Sequence, residues 1–253
     1  MERDDALTEY HVFTTVATIT LDAPERRNAL STRMIAEIRD GLARGLADES
    51  VRMILIRHSG PAFCAGADLT ESAAATRPED LPAWHLADLL ADMCEAPKPV
   101  VVTARGTARG GGLGLLAAAD VAVCGADVNM AFSEVRIGVV PAVIAPVVAR
   151  RIGPARMRTL FLTGEQINAE QALAWGLADG VDTSPGADFD GVMDMLGAGG
   201  PAAQAGIKTL TATPDLREGL REAAALTAEY FFSDEGREGV RSFIEKRTPS
   251  WVD

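Results

Sequence analysis

The positions of apolar side chains along the first half of the chain predict strands and helices in alternation. Residues Tyr10–Leu21 alternate between apolar and polar, which predicts two short strands in a hairpin-like arrangement. In Ser31–Asp48 apolar residues recur every three or four positions, which predicts a helix capped by its first Ser or Thr. The runs Met53–Arg57 and Val100–Val102 are typical of buried strands. This alternation indicates an α/β fold with mostly parallel pairing.

The second half of the chain predicts mostly helices. Residues Thr70–Pro82 show no useful periodicity, so we expect a mobile loop or a frayed helix there. Beyond Gly153 the strand signals vanish, and helical spacing predicts a helical subdomain towards the carboxyl terminus. We therefore expect two units, an α/β core over residues 1–195 and a helical region over residues 196–253.

Two glycine-containing stretches each follow a predicted strand. In Thr103–Asp120 three consecutive glycines stand where the predicted helix begins, so no side chain covers the backbone amides of Gly111 and Gly112. The turn in the earlier stretch, Ala65–Asp68, could supply a second exposed amide. Two amides directed at one oxygen atom, one of them at the positive end of a helix dipole, form an oxyanion hole. The sequence therefore predicts a site that stabilises a developing negative charge.

Simpler interpretations of these residues remain open. The glycines could serve only close packing of helix against strand. Gly110–Gly114 also looks like a dinucleotide-binding loop, but it is one residue short of G-x-G-x-x-G and lacks the acidic residue about 20 positions later. Glu134 could be a surface carboxylate paired with Arg136, the usual situation for a Glu close to an Arg.

Three motifs occur together and in order: Phe63–Leu69, Arg109–Leu113 and Phe132–Glu134. In this combination the chain resembles the crotonase superfamily, the enoyl-CoA hydratase/isomerase fold, from about residue 16 to residue 247. The stretch that begins at Phe132 is most similar to bacterial members resembling methylglutaconyl-CoA hydratases. The resemblance implies a spiral core of ββα turns followed by a helical subdomain, although the sequence itself shows no convincing repeat.

The resemblance also implies a substrate and a reaction. The substrate would be an acyl-CoA thioester whose carbonyl oxygen lies between the amides of Ala67 and Gly111, and Glu134 would move the proton. Family hydratases usually carry a second glutamate where this chain has Gly114. We favour a hydratase that adds water to a 2-enoyl-CoA. The alternatives are a double-bond isomerase, which needs one carboxylate, and a catalytically silent acyl-CoA-binding protein.

Further residues are implied only by the resemblance. They would bind the CoA part of the substrate, and Lys246 would reach the CoA that is bound to a neighbouring subunit. These residues are Arg26, Arg27, Ala29, Ala65, Asp68, Leu69 and Lys246. No metal or redox cofactor is expected, because CoA enters as the thioester of the substrate. The resemblance further implies a homotrimer or a dimer of trimers.

Composition and charge exclude other classes of function. With 47% hydrophobic and 24% charged residues the chain is typical of a globular protein, and its net charge of −12 argues against nucleic-acid binding. The three cysteines form no C-x-x-C pair, so neither a disulfide framework nor a zinc site is indicated. Because no secretory signal or membrane span is evident, we expect a cytoplasmic protein without membrane contact.

Overall fold

Alternating and continuous apolar runs form the strands of two sheets. The computed structural model describes residues 6–183 and 187–252. The strands in this part of the chain are β1 (Thr8–Phe13), β2 (Val16–Leu21), β3 (Met53–His58), β4 (Ala62–Cys64), β5 (Val100–Ala104), β6 (Thr107–Arg109), β7 (Val121–Gly125), β8 (Asn129–Ala131), β9 (Gln166–Asn168) and β10 (Gly180–Asp182). The large sheet has the order β1-β2-β3-β5-β7-β10, and only the β1–β2 pair in it is antiparallel. The predicted hairpin and the parallel pairing are confirmed.

The small sheet positions the loops that follow its strands. Its order is β4-β6-β8-β9, and β4, β6 and β8 run parallel to one another. Along the chain, each of the large-sheet strands β3, β5 and β7 is followed by one of these short strands. This succession of a large-sheet strand and a small-sheet strand is the structural repeat that the sequence does not reveal. Because parallel strands end at the same edge, the turns that leave β4, β6 and β8 lie side by side.

Capping residues and glycines determine where the helices begin and end. Ser31 accepts a hydrogen bond from the Met34 amide at the first helix, and Asn168 begins another helix with a capping box that Gln171 completes. A long helix is kinked at Gly153, where φ is 73°. The described helices are α1 (Thr32–Ala47), α2 (Leu69–Ala74), α3 (Pro82–Glu95), α4 (Gly111–Ala118), α5 (Ala145–Thr163), α6 (Ala169–Trp175), α7 (Ala187–Ala198), α8 (Pro201–Leu210), α9 (Leu216–Phe232) and α10 (Asp234–Ile244).

Of the two alternatives for Thr70–Pro82, the structure agrees with a short helix rather than with a loop alone. The stretch contains most of α2, a 3₁₀ turn at Pro78–Asp80 and the first residue of α3. The expectation that strands end at Gly153 is wrong. Strands continue beyond Gly153, since β9 and β10 extend the two sheets at their edges. Each of these strands has three residues, which is too short for a period of two to be recognised.

The C-terminal helices pack on the α/β core of the same chain. α9 packs against α3, where Arg217 forms ion pairs with Asp92 at 2.8 Å and with Glu95 at 2.7 Å. α10 packs against α2 and against the 3₁₀ turn Glu134–Ile137. A small apolar cluster beneath these helices consists of Leu81, Val139, Ala228, Phe231 and Val240. The division into residues 1–195 and 196–253 stays a prediction.

Candidate active site

The turn after β4 is held in place by hydrogen bonds. The Leu30 amide donates to the Gly66 carbonyl at 2.8 Å, and the Asp68 amide donates to the Leu30 carbonyl at 3.1 Å. Gly66 has a φ of 92°, which a glycine adopts without strain. These contacts hold the backbone on both sides of Ala67, whose own amide has no acceptor among the described residues. The free Ala67 N–H is therefore available to a ligand.

The turn after β6 is held in place by packing. Gly110 has a φ of 46° and leads into α4, all of whose residues are buried. A side chain at Gly111 would overlap Leu30 and Leu86, and one at Gly112 would lie 2.7 Å from the Cβ of Cys64. The Gly111 amide has no acceptor within the described ranges. The glycines thus allow α4 to begin directly against β4, with an amide left free.

The two free amides belong to neighbouring strands. β4 and β6 pair in parallel, and the Cα of Gly66 faces the backbone of Arg109, since a Cβ there would lie 3.4 Å from the Arg109 carbonyl oxygen. The N–H groups of Ala67 and Gly111 therefore lie on adjacent turns that line one cavity. Two fixed donors of this kind can stabilise an oxyanion in a site closed to bulk water.

The Glu134 carboxyl group packs against the second of these turns. A Cβ at Gly110 would lie 2.4 Å from Glu134 Oε1, so the carboxyl group lies directly on that glycine. Oε2 is buried and has no hydrogen-bond partner among the described residues, and burial raises the pKa of Glu134 to about 7. A carboxyl group with this pKa can both accept and donate a proton near neutral pH.

The interpretation of Glu134 as half of a surface ion pair is wrong. Arg136 donates to the Gly164 carbonyl at 3.0 Å instead, and neither side chain forms a salt bridge within the described residues. The 3₁₀ turn Glu134–Ile137 directs the two side chains to different surroundings, because residues two apart in such a turn point in different directions.

An apolar side chain occupies the space next to Gly114. A Cβ at this glycine would lie 2.5 Å from Cγ2 of Ile144 and 3.6 Å from Cδ1 of Leu90. Gly114 lies inside α4 and is itself buried. A carboxylate side chain at this position therefore has no room, and Glu134 is the one acidic residue that lines the cavity in the described part of the chain.

A cavity of ≈ 530 Å³ connects these elements, a volume in the range of small-molecule sites. Six of the residues predicted from the sequence line it: Glu134, Gly111, Ala67, Arg27, Ala65 and Leu69. Arg27 is exposed and has no ion-pair partner among the described residues, so it remains a free cation at the cavity wall. The structure thus brings together the two amides, the carboxyl group and one of the two adjacent arginines.

The other four predicted residues do not line this cavity. Arg26 is exposed and lies 4.0 Å from Glu25, and Ala29 is half-buried beside the Arg27 segment. Asp68 caps α2, because its Oδ1 accepts the amides of Thr70 and Glu71 at 3.0 and 3.1 Å. Lys246 follows α10 with a φ of 55°. Its predicted contact with a neighbouring subunit stays a prediction.

Sequence reasoning missed many of the other residues that line the cavity. They come from the segment around α3, from the segment after the 3₁₀ turn, from α9 and from α10 with the residues that follow it, and include Leu81, Leu86, Val139, Val143, Thr227, Phe231, Phe243 and Arg247. Most are apolar residues at helical spacing, a pattern that core residues share. The unbroken apolar run around Val139 was the one available signal.

Metal and membrane signals are absent from the ranges that the structure describes. No group of three or more His, Cys, Asp or Glu side chains is arranged to hold a metal ion within residues 6–183 and 187–252. In the same ranges no helix is long and apolar enough to cross a bilayer.

Comparison with known proteins identifies the family to which this site belongs. The sequence profile of the Enoyl-CoA hydratase/isomerase family matches residues 12–253, and the chain belongs to this family. The carnitinyl-CoA dehydratase of Proteus mirabilis is 30% identical over 93% of this chain and 94% of its own length. The 1,2-epoxyphenylacetyl-CoA isomerase of Escherichia coli K12 is 29% identical over 96% of this chain and 97% of its own length.

A solved structure supports the same assignment. The crystal structure of an enoyl-CoA hydratase from Mycobacterium avium is 35% identical and superposes with a TM-score of 0.88, covering 98% of this chain and 100% of that one. The predicted crotonase fold and the membership of an enzyme family that acts on acyl-CoA are therefore confirmed. The closer similarity to methylglutaconyl-CoA hydratases stays a prediction.

Proposed function

We propose that the protein is a hydro-lyase that adds water to the double bond of a 2-enoyl-CoA. One observation carries this proposal: the buried carboxyl group of Glu134 lies on Gly110, next to the free amide of Gly111. A proton carrier is thereby fixed beside an oxyanion hole, which is the pair of groups that addition to an unsaturated thioester needs. The dehydratase among the relatives supports this type of chemistry, because removal of water is the reverse of the same reaction.

The reaction needs a single carboxylate that acts twice. Glu134 as carboxylate removes a proton from water while the water oxygen attacks the β-carbon. The electron pair of the double bond moves towards the thioester oxygen, where the amides of Ala67 and Gly111 stabilise the enolate. The protonated Glu134 then returns its proton to the α-carbon and is a carboxylate again. Water is added with no net change in the enzyme.

A double-bond isomerase is the second candidate, and the surroundings of Gly114 favour it. Ile144 fills the space where a second carboxylate would hold the attacking water, so the described cavity offers only Glu134 for proton transfer. In an isomerase this carboxylate would take a proton from one carbon and return it to another, without water. The isomerase among the relatives supports this candidate.

The polar groups that α2, α9 and α10 contribute to the cavity lining favour a hydrocarbon acyl chain. The hydroxyl groups of Ser72, Thr227 and Ser242 donate to the carbonyls of Asp68, Val140 and Gly239, at 2.7, 3.4 and 2.9 Å. Arg247, which follows α10, pairs with Glu238 and Glu245. Because these groups already have partners, and the lining also contains Leu81, Val139 and Phe231, this part of the cavity suits an apolar acyl chain.

The decisive experiment follows the ultraviolet absorbance of the conjugated thioester. We expect the absorbance of a 2-enoyl-CoA to fall in the presence of the protein, and Glu134→Gln to lower kcat by roughly 10³-fold, because a general acid–base contributes 10²–10⁴-fold. Binding of the acyl-CoA should persist in this variant. The exposed Glu222 provides a matched control, since Glu222→Gln makes the same change on the surface of α9.

Other outcomes would replace this proposal. A rise in absorbance with a 3-enoyl-CoA, without a fall with any 2-enoyl-CoA, would identify the isomerase. Silence with both substrates, together with tight binding of the thioester, would identify a non-catalytic acyl-CoA-binding protein. A cytoplasmic location and a homotrimer or dimer of trimers stay predictions of the sequence.

A further inference from the structure

The backbone of α10 lies in direct contact with the turn that carries Glu134. A Cβ added to Gly239 of α10 would lie 2.2 Å from the carbonyl oxygen of Ile137 and 2.7 Å from its Cα. From the other side, a Cβ at Gly138 would lie 2.7 Å from the carbonyl oxygen of Glu235. At both points backbone meets backbone, so no flexible side chain can absorb a displacement.

Apolar packing fixes the end of the same turn. Val240, the residue after Gly239, lies in the small cluster with Val139 and Phe231 and is buried. The Val139 amide donates to the Glu134 carbonyl at 3.1 Å. A continuous path of contacts therefore leads from α10 through Val139 to the backbone of Glu134.

No described residue holds Oε2 of the Glu134 carboxyl group by a hydrogen bond. That oxygen has no hydrogen-bond partner, so its position follows from the backbone of the 3₁₀ turn and from the contact with Gly110. A carboxyl group fixed in this way moves whenever its turn moves. Because misplacement by about 1 Å can cost 10²-fold in rate, whatever positions the turn acts on catalysis.

We propose that α10 positions Glu134 for proton transfer, and that Gly239 is the positioning residue that lets this helix dock on the turn. The C-terminal helices then act on the active site of their own chain. This inference rests on the proposed function, in which Glu134 is the proton carrier.

The charged groups around the turn do not cause the raised pKa of Glu134. On its own turn Arg136 donates to the Gly164 carbonyl, and Arg109 of β6 donates to the Asn129 carbonyl at 2.7 Å. From α10, Glu235 packs at Gly138 and Glu238 is paired with Arg247, which follows the helix. Burial, and not these charges, raises the pKa of Glu134, so water that enters beside a displaced turn should lower it.

The test compares one added methyl group at two glycines. Gly239→Ala should move the turn, and we expect kcat to fall by about 10–100-fold while KM changes by less than about threefold. The midpoint of the acid limb of kcat should shift below the wild-type value. Gly219 in α9 provides the matched control, because a Cβ there would have no atom within 4 Å and Gly219→Ala should leave kcat and the pH profile unchanged.

A milder variant decides the matter if Gly239→Ala does not fold. Val240→Ala introduces no overlap and only loosens the contact between α10 and Val139, so kcat and the midpoint should fall in the same directions by a smaller factor. The inference is overturned if a folded variant has the kcat and the acid-limb midpoint of the wild type. It is also overturned if KM rises while kcat is unchanged.

Failure of the inference and failure of the proposed function give different results. If Glu134→Gln retains turnover, the proposed function is wrong, whatever α10 does. If Glu134→Gln is inactive while folded Gly239→Ala and Val240→Ala resemble the wild type, Glu134 is the proton carrier and α10 does not position it.

Discussion

The two turns that supply the free amides are held in place by different forces. The turn at Ala67 is short and hydrogen-bonded: Leu30 pairs with its backbone, and Asp68 caps the helix that follows. The turn at Gly111 has no capping side chain; besides one hydrogen bond from the Gly110 amide to the Ala131 carbonyl at 3.3 Å, close packing against Leu30, Leu86, Cys64 and the Glu134 carboxyl group holds it. Hydrogen bonds contribute individually and can be lost one at a time, whereas close packing tolerates little change. A substitution should therefore displace the free amide of Gly111 more readily than that of Ala67.

The largest expected effect is on the packed turn. Gly112→Ala places a methyl group 2.7 Å from the Cβ of Cys64, so β4 and α4 must separate. Overpacking of this kind costs about 1–3 kcal/mol, and we expect a lower Tm together with a large loss of kcat. Thermal unfolding and steady-state kinetics measure both. Gly206→Ala in α8, where a Cβ would have no atom within 4 Å, should leave kcat unchanged and should raise Tm slightly, because Ala favours a helix more than Gly does. Equal effects at the two positions would contradict the comparison.

A smaller effect concerns the carboxyl group that lies on the packed turn. Its pKa of about 7 in the folded state exceeds the ordinary 4.5, so the folded protein binds more protons between these pH values and its stability falls as pH rises through them. Glu134→Gln removes this cost and should stabilise the protein at pH 8, relative to pH 5, by about 1–3 kcal/mol. Urea unfolding at both pH values measures the difference. If Glu134→Gln changes the free energy of unfolding by the same amount at pH 5 and at pH 8, Glu134 does not titrate in this window.

The smallest effect is expected in the hydrogen-bonded turn. Asp68→Ala removes the cap of α2 and should cost about 1 kcal/mol, seen as a slightly lower Tm. The kcat should stay close to that of the wild type, because Leu30 still holds the backbone around Ala67. Asp68→Asn keeps a capping oxygen and serves as the control. A loss of kcat as large as that of Gly112→Ala would remove the distinction between the turns.

The same contrast explains how much the sequence predicts. A free backbone amide needs glycines and short side chains around it, so residue types point to the two turns, and the resemblance points to Ala67 and Gly111 within them. Glu134 stands out through the resemblance and its apolar neighbours. The apolar part of the cavity lining does not stand out, because Phe231 and Val139 come from distant segments and have the same residue types as any core.

The fold shows the same limits. Helix α1 is predicted correctly because local contacts determine it. The strands β9 and β10 are missed because three residues gain their structure from neighbouring strands rather than from their own pattern. For α2 the sequence leaves a loop and a frayed helix open, because its capping residue, Asp68, precedes a short segment without apolar periodicity.

The contact between Gly239 and Ile137 also orders events during synthesis of the protein. The two residues lie about one hundred positions apart, so the ribosome completes both sheets well before it makes the helix that docks on the turn of Glu134. Contacts of such long sequence separation form late and slowly, because the intervening chain must first become ordered. A nascent chain can therefore fold its core while the turn of Glu134 still lacks the helix that holds it.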